Sequence, residues 1–272
     1  MLKEEIINLI DSQSIQNKEK IKSLLLPSLK FSIEDLNPGY LSISKIGGKP
    51  PIFENVWPEC KSTPLLFLAE ISLSQISDIN NLLPKDGILC FFILTDDNLY
   101  RYPDRKGEFK VLYIENINRE NTNKAFMSIK EYPIRFFEHY TLPSYQENIL
   151  IGSNLTQVEL NLIEDIESNI SDFEGYDIGH QVLGHPKAIQ GTVRFWWAVK
   201  YLGLENIETL SEPEEEMAKQ EGDKFILLLQ LDFSDPKITV DHFGDSVAYF
   251  GIHQHDLKNK NFDNVILVMQ NT

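Results

Sequence analysis

"SKIGGKPPIFENVWP" (Ser44–Pro58) and "QVLGHP" (Gln181–Pro186) decide how this chain is read. Taken alone, the first suggests a phosphate-binding loop, with two glycines followed by a lysine. Such a loop needs G-x-x-x-x-G-K-[ST] at the start of a helix, where backbone N–H groups hold the phosphate and the hydroxyl meets Mg²⁺. Here the first glycine position holds Ile43, and the hydroxyl position holds Pro50, followed by Pro51. The prolines remove two donors and push Lys49 away from the α region. No nucleotide is expected there, and no cofactor is called for elsewhere. The stretch reads as a glycine turn that leads into an extended segment.

The second quotation shows what the turn is part of. "KIGGKP" (Lys45–Pro50) matches "QVLGHP", with Gly48 and Pro50 falling on Gly184 and Pro186. "LFLAEIS" (Leu66–Ser72) matches the stretch Ile226–Asp232, which places Glu70 on Gln230 and Ser72 on Asp232. "GILCFFI" (Gly87–Ile93) matches "SVAYFGI" (Ser246–Ile252). Three matches in the same order argue for a duplication, and such self-similarity is settled before a fold is assigned. The copies span approximately residues 41–140 and 178–270 of a single domain, 1–272, with a helical segment over 1–30. The second copy carries an insertion between its turn and its first apolar strand.

Local patterns fill in the elements. "LKEEIINLI" and "NKEKIKSLLLP" have helical spacing. The solid apolar runs around Leu66–Ser72 and Ile88–Ile93 read as strands covered on both faces. Phe109, Val111 and Tyr113 alternate along another strand. In "IKEYPIRFFEHYTLP", Pro133 favours an edge position, since proline donates nothing to a ladder. The stretch from Val158 to His180 is acidic and without Lys or Arg, and it contains one amphipathic helix. "TVRFWWAVKYLG" reads as a helix that ends at Gly203. In "SEPEEEMAKQEG", Ser211 and Glu214 form a capping box, with Pro213 in the first turn and Gly222 as the stop. The expected fold is α+β and mainly antiparallel β, with an internal pseudo-duplication of two β units and N-terminal helices.

These residues carry a family resemblance. "SKIGGKPPIFENVWP", "PLLFLAEISLS", "GEFKVLYIE", "TLPS", "GHQVLGHPKAIQG" and "FILLLQLDF…FGDS…YFGI…DLKNKNFDNVILVMQ" together resemble the YwqG-like family of bacterial proteins. The resemblance runs from about Ser44 to the C-terminus. It implies a largely antiparallel β architecture with an internal duplication, in a family known mainly as a domain of unknown function. It implies no catalytic residue.

Composition bounds the function. The chain has 272 residues and a formal charge of −16. That field repels nucleic acid and anionic membranes and attracts cationic partners. Two cysteines, Cys60 and Cys90, make no disulfide framework, and the acidic start "MLKEE" is unlike a signal peptide. A reducing cytoplasm is the expected location.

Three groups of residues could carry chemistry. His253 and His255 stand two apart, so on a strand both would face one way, with His242, Asp241 or Asp256 to complete a metal site. The bland reading is a solvated turn opening a loop, and no metal is assigned. His180, Gln181 and His185 flank the second glycine turn. Catalysis there would need an activated Ser or Cys, and the chain has no G-x-S-x-G elbow. Glu70, Gln230 and Asp232 stand at equivalent points of the two copies. With His180, Gln181 and Asp245 they could line a cleft between the halves. Of the tryptophans, Trp57, Trp196 and Trp197, adjacent ones on a helix point about 100° apart, so one of Trp196 and Trp197 could mark a contact surface.

The expected function is that of a non-enzymatic cytoplasmic binding protein. Its acidic surface would suit a basic protein partner, as an immunity protein or antitoxin does. The alternative is an enzyme or small-molecule sensor with its site in the cleft between the halves.

Overall fold

The computed structural model describes residues 3–35, 43–52, 56–76, 79, 82–95, 101–115, 127–145, 147–150, 153–171, 179–204, 210–238, 240 and 242–271. The chain opens with helices α1 (Lys3–Ser12) and α2 (Lys18–Ser23). There follow β1 (Leu26–Ile33), β2 (Lys45–Ile46), the small hairpin β3 (Glu59–Cys60) and β4 (Thr63–Pro64), β5 (Leu66–Ser72), β6 (Ile88–Ile93), β7 (Phe109–Ile114) and β8 (Tyr132–Thr141). Then come α3 (Gln157–Ser171), β9 (His180–Leu183), α4 (Val193–Tyr201), α5 (Glu212–Gly222), β10 (Phe225–Asp232), β11 (Ser246–His253), α6 (Gln254–Lys258) and β12 (Ile266–Asn271). The protein is α+β and mainly antiparallel β. Among the described residues, no helix is long and apolar enough to cross a membrane.

The main sheet runs β12-β11-β10-β9-β1-β8-β2-β5-β6-β7. Its two halves pair alike. Lys45 faces Glu70 across β2–β5, and Gln181 faces Gln230 across β9–β10. Glu70 then faces Cys90, and Gln230 faces Tyr249. Each ladder slips at the matching place, between Phe67 and Ala69 and between Leu227 and Leu229. A one-residue error in register would reverse every side chain, so agreement down to the bulge is a strong correspondence.

The halves are joined by an exchange. Lys45 pairs with Pro133 of β8, while its counterpart Gln181 pairs with Lys30 of β1. Each unit's leading strand therefore lies against the other unit. By the same correspondence Ser32 matches Arg135, and these two face each other across β1–β8. A local two-fold axis passes through that pair. Phe91 and its counterpart Phe250 meet edge to face at 5.1 Å between ring centroids. The sheet thus curls until the inner faces of its halves share one core, with Leu68, Ile71, Leu89 and Phe91 against Leu228, Leu231, Ala248 and Phe250.

Three sequence expectations change here. The N-terminal helical segment ends at Ser23, and Leu26–Ile33 is strand, because the apolar side chains there face the shared core. In the sheet β1 stands beside β9 as β8 stands beside β2. Pro133 is not on an edge strand, since β8 lies between β1 and β2. It sits one residue past the last β1–β8 pair, Ile33↔Ile134, at the start of the strand, where a missing N–H breaks no ladder. Gly222 is the last residue of α5 rather than a stop. A Cβ there would come within 2.8 Å of the Arg194 carbonyl oxygen, so glycine lets α5 lie close on α4.

Both glycine turns are left-handed over two residues. φ is +61° at Gly47 and +74° at Gly48, against +63° at Leu183 and +77° at Gly184. The capping box at the start of α5 forms through Ser211 and Glu214, with Pro213 in the first turn. Of the expected acidic stretch, Asp172, Glu174 and Asp177 lie outside the described residues.

Candidate functional site

The outer face of the second unit gathers most of the singled-out polar residues. Gln230 and Asp232 alternate with the core residues of β10, so they point outward, as does Gln181 across the ladder. All three are buried. Gln230 Oε1 accepts from the Lys187 N–H at 3.0 Å, and its amide donates to the Gly179 carbonyl at 3.0 Å. Gln181 donates to the carbonyls of Leu183 (3.1 Å) and His185 (2.7 Å). Asp232 accepts from the Gly179 N–H at 3.2 Å and from the Ser234 N–H and hydroxyl at 2.9 and 2.6 Å.

A strap of chain crosses this face. The Tyr249 hydroxyl donates to the Lys187 carbonyl at 2.6 Å. Gln270 Oε1 accepts from the N–H groups of Ile189 and Gln190 at 2.7 and 3.1 Å, and its amide donates to the carbonyls of Gln190 and Gly191. Gln230, Tyr249 and Gln270 thus hold residues 187–191 to three successive strands. Irregular backbone buried against a sheet must find partners, and these side chains supply them. Neither Tyr249 nor Gln270 stood out in the sequence. Only the strand register shows that they share a face with Gln230.

His180 points the other way, stacking on Phe31 at 5.2 Å. Its Nδ1 accepts from the Asp232 N–H at 3.1 Å, which leaves Nε2 to donate to Asp235 at 3.2 Å. Burial pushes the Asp235 carboxyl up. The His180 and Lys237 hydrogen bonds together outweigh it, so the carboxyl lies below its ordinary range. With both ring nitrogens engaged, His180 holds the β9–β10 corner.

Beside it is a second buried group. His185 Nε2 donates to the Leu24 carbonyl at 2.7 Å, and its Nδ1 accepts from Arg194 Nη1 at 2.9 Å. Burial, helped by the Arg194 charge, holds the His185 pKa far below the ordinary value. Glu147 accepts from the Thr192 hydroxyl (3.0 Å) and the Val193 N–H (3.1 Å) at the start of α4. Its carboxyl is raised by burial, against the pull of Arg194.

Glu70 does not join these residues. It is buried on the outer face of the first unit, opposite Cys90, whose neighbours there are Trp57, Phe67 and Phe92. The shared core lies between Glu70 and the Gln230–Asp232 pair, so the pseudo-two-fold relation turns them away from each other rather than into a cleft. Asp245 is exposed on the turn entering β11.

The histidine pair is also resolved. His253 ends β11 and caps α6, its Nδ1 accepting from the His255 N–H at 3.2 Å, so "HQHD" opens a helix rather than a loop. The His253 ring is buried against Tyr201, its Nε2 is 3.0 Å from Glu221, and burial lowers its pKa. Asp256 accepts from Asn261 and Asn264 at 3.1 and 2.8 Å. His242 is exposed, and Asp241 lies outside the described residues. Among the described residues, no three His, Cys, Asp or Glu side chains are grouped to hold a metal ion. Of the tryptophans, Trp197 is fully buried and Trp196 half-buried against Phe195.

Fold and polar network together define a mainly antiparallel α+β protein of two matched units, the second bearing an inserted helical cover. The chain belongs to the family described as Domain of unknown function (DUF1963), whose model matches residues 44–270. That span begins just before the first glycine turn and ends in β12. No curated protein matches the chain.

Proposed function

We propose that the chain is a non-enzymatic cytoplasmic binding protein, YwqG-like, that takes a basic protein partner on its acidic surface as an immunity protein or antitoxin does. The observation that carries this reading is the charge of −16 together with its placement. α5 exposes Glu212, Glu215 and Glu216 around Met217, and α3 exposes Glu164 and Asp165. Exposed acidic helices of this kind speed encounter with a cationic protein and reject anionic ones. The hydrogen bonds of Gln181, Gln230, Asp232 and His180 support the same reading, since they hold backbone.

The test is affinity capture from producing cells at physiological salt, beside a Glu212→Gln/Glu215→Gln/Glu216→Gln variant. A basic protein retained by the native chain, released by added salt and weakened by the variant is the expected result. Recovery of no protein, or equal retention by the variant, overturns it. The exposed substitutions themselves should change stability by less than about 0.5 kcal/mol.

A further inference from the structure

The main sheet ends in β7 on one side and in β12 on the other. The segment between α6 and β12 fastens the second unit to β7. Lys260 pairs with Glu115 and lies over the Tyr113 ring, 5.5 Å from its centroid. Phe262 packs on the same ring at 5.0 Å between centroids, and Asp263 pairs with Lys110 at 2.6 Å. The segment is itself held by α6. The N–H groups of Lys260 and Asn261 return to the carbonyls of Leu257 and Asp256 at 2.9 and 2.8 Å. The Asp256 carboxylate also accepts from the side chains of Asn261 and Asn264.

α6 in turn depends on one side chain. It is five residues long, and so short a helix does not hold itself in water. Its N-cap is His253, whose Nδ1 accepts from the His255 N–H at 3.2 Å. A ring nitrogen that accepts carries no proton, so the ring proton sits on Nε2, 3.0 Å from a Glu221 oxygen. A second proton can go only to Nδ1. There it removes the acceptor and sets a donor against the His255 N–H. Tyr201 of α4 stacks on the ring at 4.9 Å, and Phe225 of β10 meets it edge-on at 5.4 Å. Glu221 of α5 and Asp256 of α6 favour the charged ring. Burial, the largest influence, opposes it, as do Lys224 before β10 and His255 of α6, and the ring pKa lies below its ordinary 6.5.

We propose that the segment from α6 to β12 is an acid-released latch on β7, in which a proton on His253 undoes the α6 cap and frees Lys260, Phe262 and Asp263 from the first unit. The device is separate from the exposed glutamates of α5 and does not depend on the basic-partner reading. The latched state prefers the neutral ring. It is therefore fully held above pH 6.5 and weakens as pH falls from there toward the lowered pKa. One proton can change the opening equilibrium by at most about tenfold per pH unit.

Hydrogen exchange of the full chain between about pH 7.5 and 5.5, corrected for the intrinsic pH dependence of exchange, tests this. The amides of His255, Asn259, Lys260 and Asn261 should lose protection several-fold on acidification, while those of β10 and β11 keep theirs. His253→Asn supplies a capping acceptor that does not titrate, and its segment should stay equally protected across the interval. Protection of the native segment that does not change with pH overturns the proposal. So does a loss shared equally by β10 and β11, which is opening of the whole fold. Both outcomes are read on the native chain alone. The same acid loss in His253→Asn also overturns it, by assigning the effect to Glu221, His255 or another group around the ring.

Discussion

Phe92 in the first unit and Gly251 in the second occupy matching places, six residues into "GILCFFI" and "SVAYFGI". Phe92 fills its outer face itself, packing edge-on against Trp57 at 5.5 Å and beside Phe67 at 5.3 Å. Gly251 leaves its place empty, and the indole of Trp197 from α4 enters it. A Cβ on Gly251 would lie 2.4 Å from that ring. Each unit therefore buries one tryptophan on its outer face, and each indole N–H donates to a nearby carbonyl, of Leu65 at 2.9 Å and of Tyr249 at 3.1 Å. Trp57 comes from the segment before the β3–β4 hairpin, whereas Trp197 comes from the insertion. The ladder is common to both units, while the cover on each outer face is separate. The difference follows from where hydrogen bonds and packing act: pairing is set along strands, and cover is set by whatever chain passes above.

The sharpest way to break this comparison is to remove the second cover. Trp197→Ala should cost about 3–5 kcal/mol, since it leaves a cavity over a glycine that cannot fill it. The urea midpoint would fall accordingly. A loss below about 1 kcal/mol would mean that Gly251 is not matched to the indole.

The glycine turns come next. Gly184→Val and Gly48→Val should each destabilise by about 1–3 kcal/mol through the positive φ that both turns require. Gly184 should be the more costly. Its added Cβ would meet Thr141 and Ser28 at 2.6 and 2.8 Å, both on central strands. At Gly48 the nearest obstacle is the carboxyl end of Glu131, a half-exposed side chain bridged to Lys45. Thermal melts of the two variants give the order. Equal melting points would show that only φ matters, and phosphate affinity at Lys49 should be unaffected in either.

The smallest effect concerns the helical layer that neither unit's ladder explains. Glu159 ties α3 to the turn before α2, accepting from the N–H groups of Gln16, Asn17 and Thr156 and from the side chains of Asn17 and Thr156. Led by the Asn17 side chain, these donors hold its carboxyl at about 2, below the ordinary 4.5. A depressed carboxylate contributes stability above the unfolded value and loses it as pH falls. Glu159→Gln should therefore be less stable than the native chain above pH 4.5, with the difference shrinking as pH falls toward about 2. Denaturant midpoints across that interval test it, and a difference independent of pH would assign the effect to packing instead.

The sequence by itself determined what depends on near neighbours and on the echo between halves. The proline after Lys49 departs from the phosphate-loop pattern, Ser211 and Glu214 formed their capping box, and Gly48 and Gly184 proved to be matching left-handed turns. Residues a few positions apart settle such features, and two copies of one strand pattern announce two similar ladders. The rest was decided by the tertiary structure. The exchange of β1 and β8 between units joins residues more than a hundred positions apart, and no local pattern encodes which edge a strand will choose. That choice put Pro133 inside the sheet. Glu70 and Gln230 were legible as counterparts, but a two-fold axis can bring counterparts together or turn them outward. Here the faces that carry Leu68, Phe91, Leu228 and Phe250 met in the shared core, and the faces that carry Glu70 and Gln230 were turned outward, each under its own apolar cover. Arg194 was silent in the sequence for the same reason: within "TVRFWWAVKYLG" it looks like one more helical arginine, and only the packing of α4 against α5 and the sheet places it out of water.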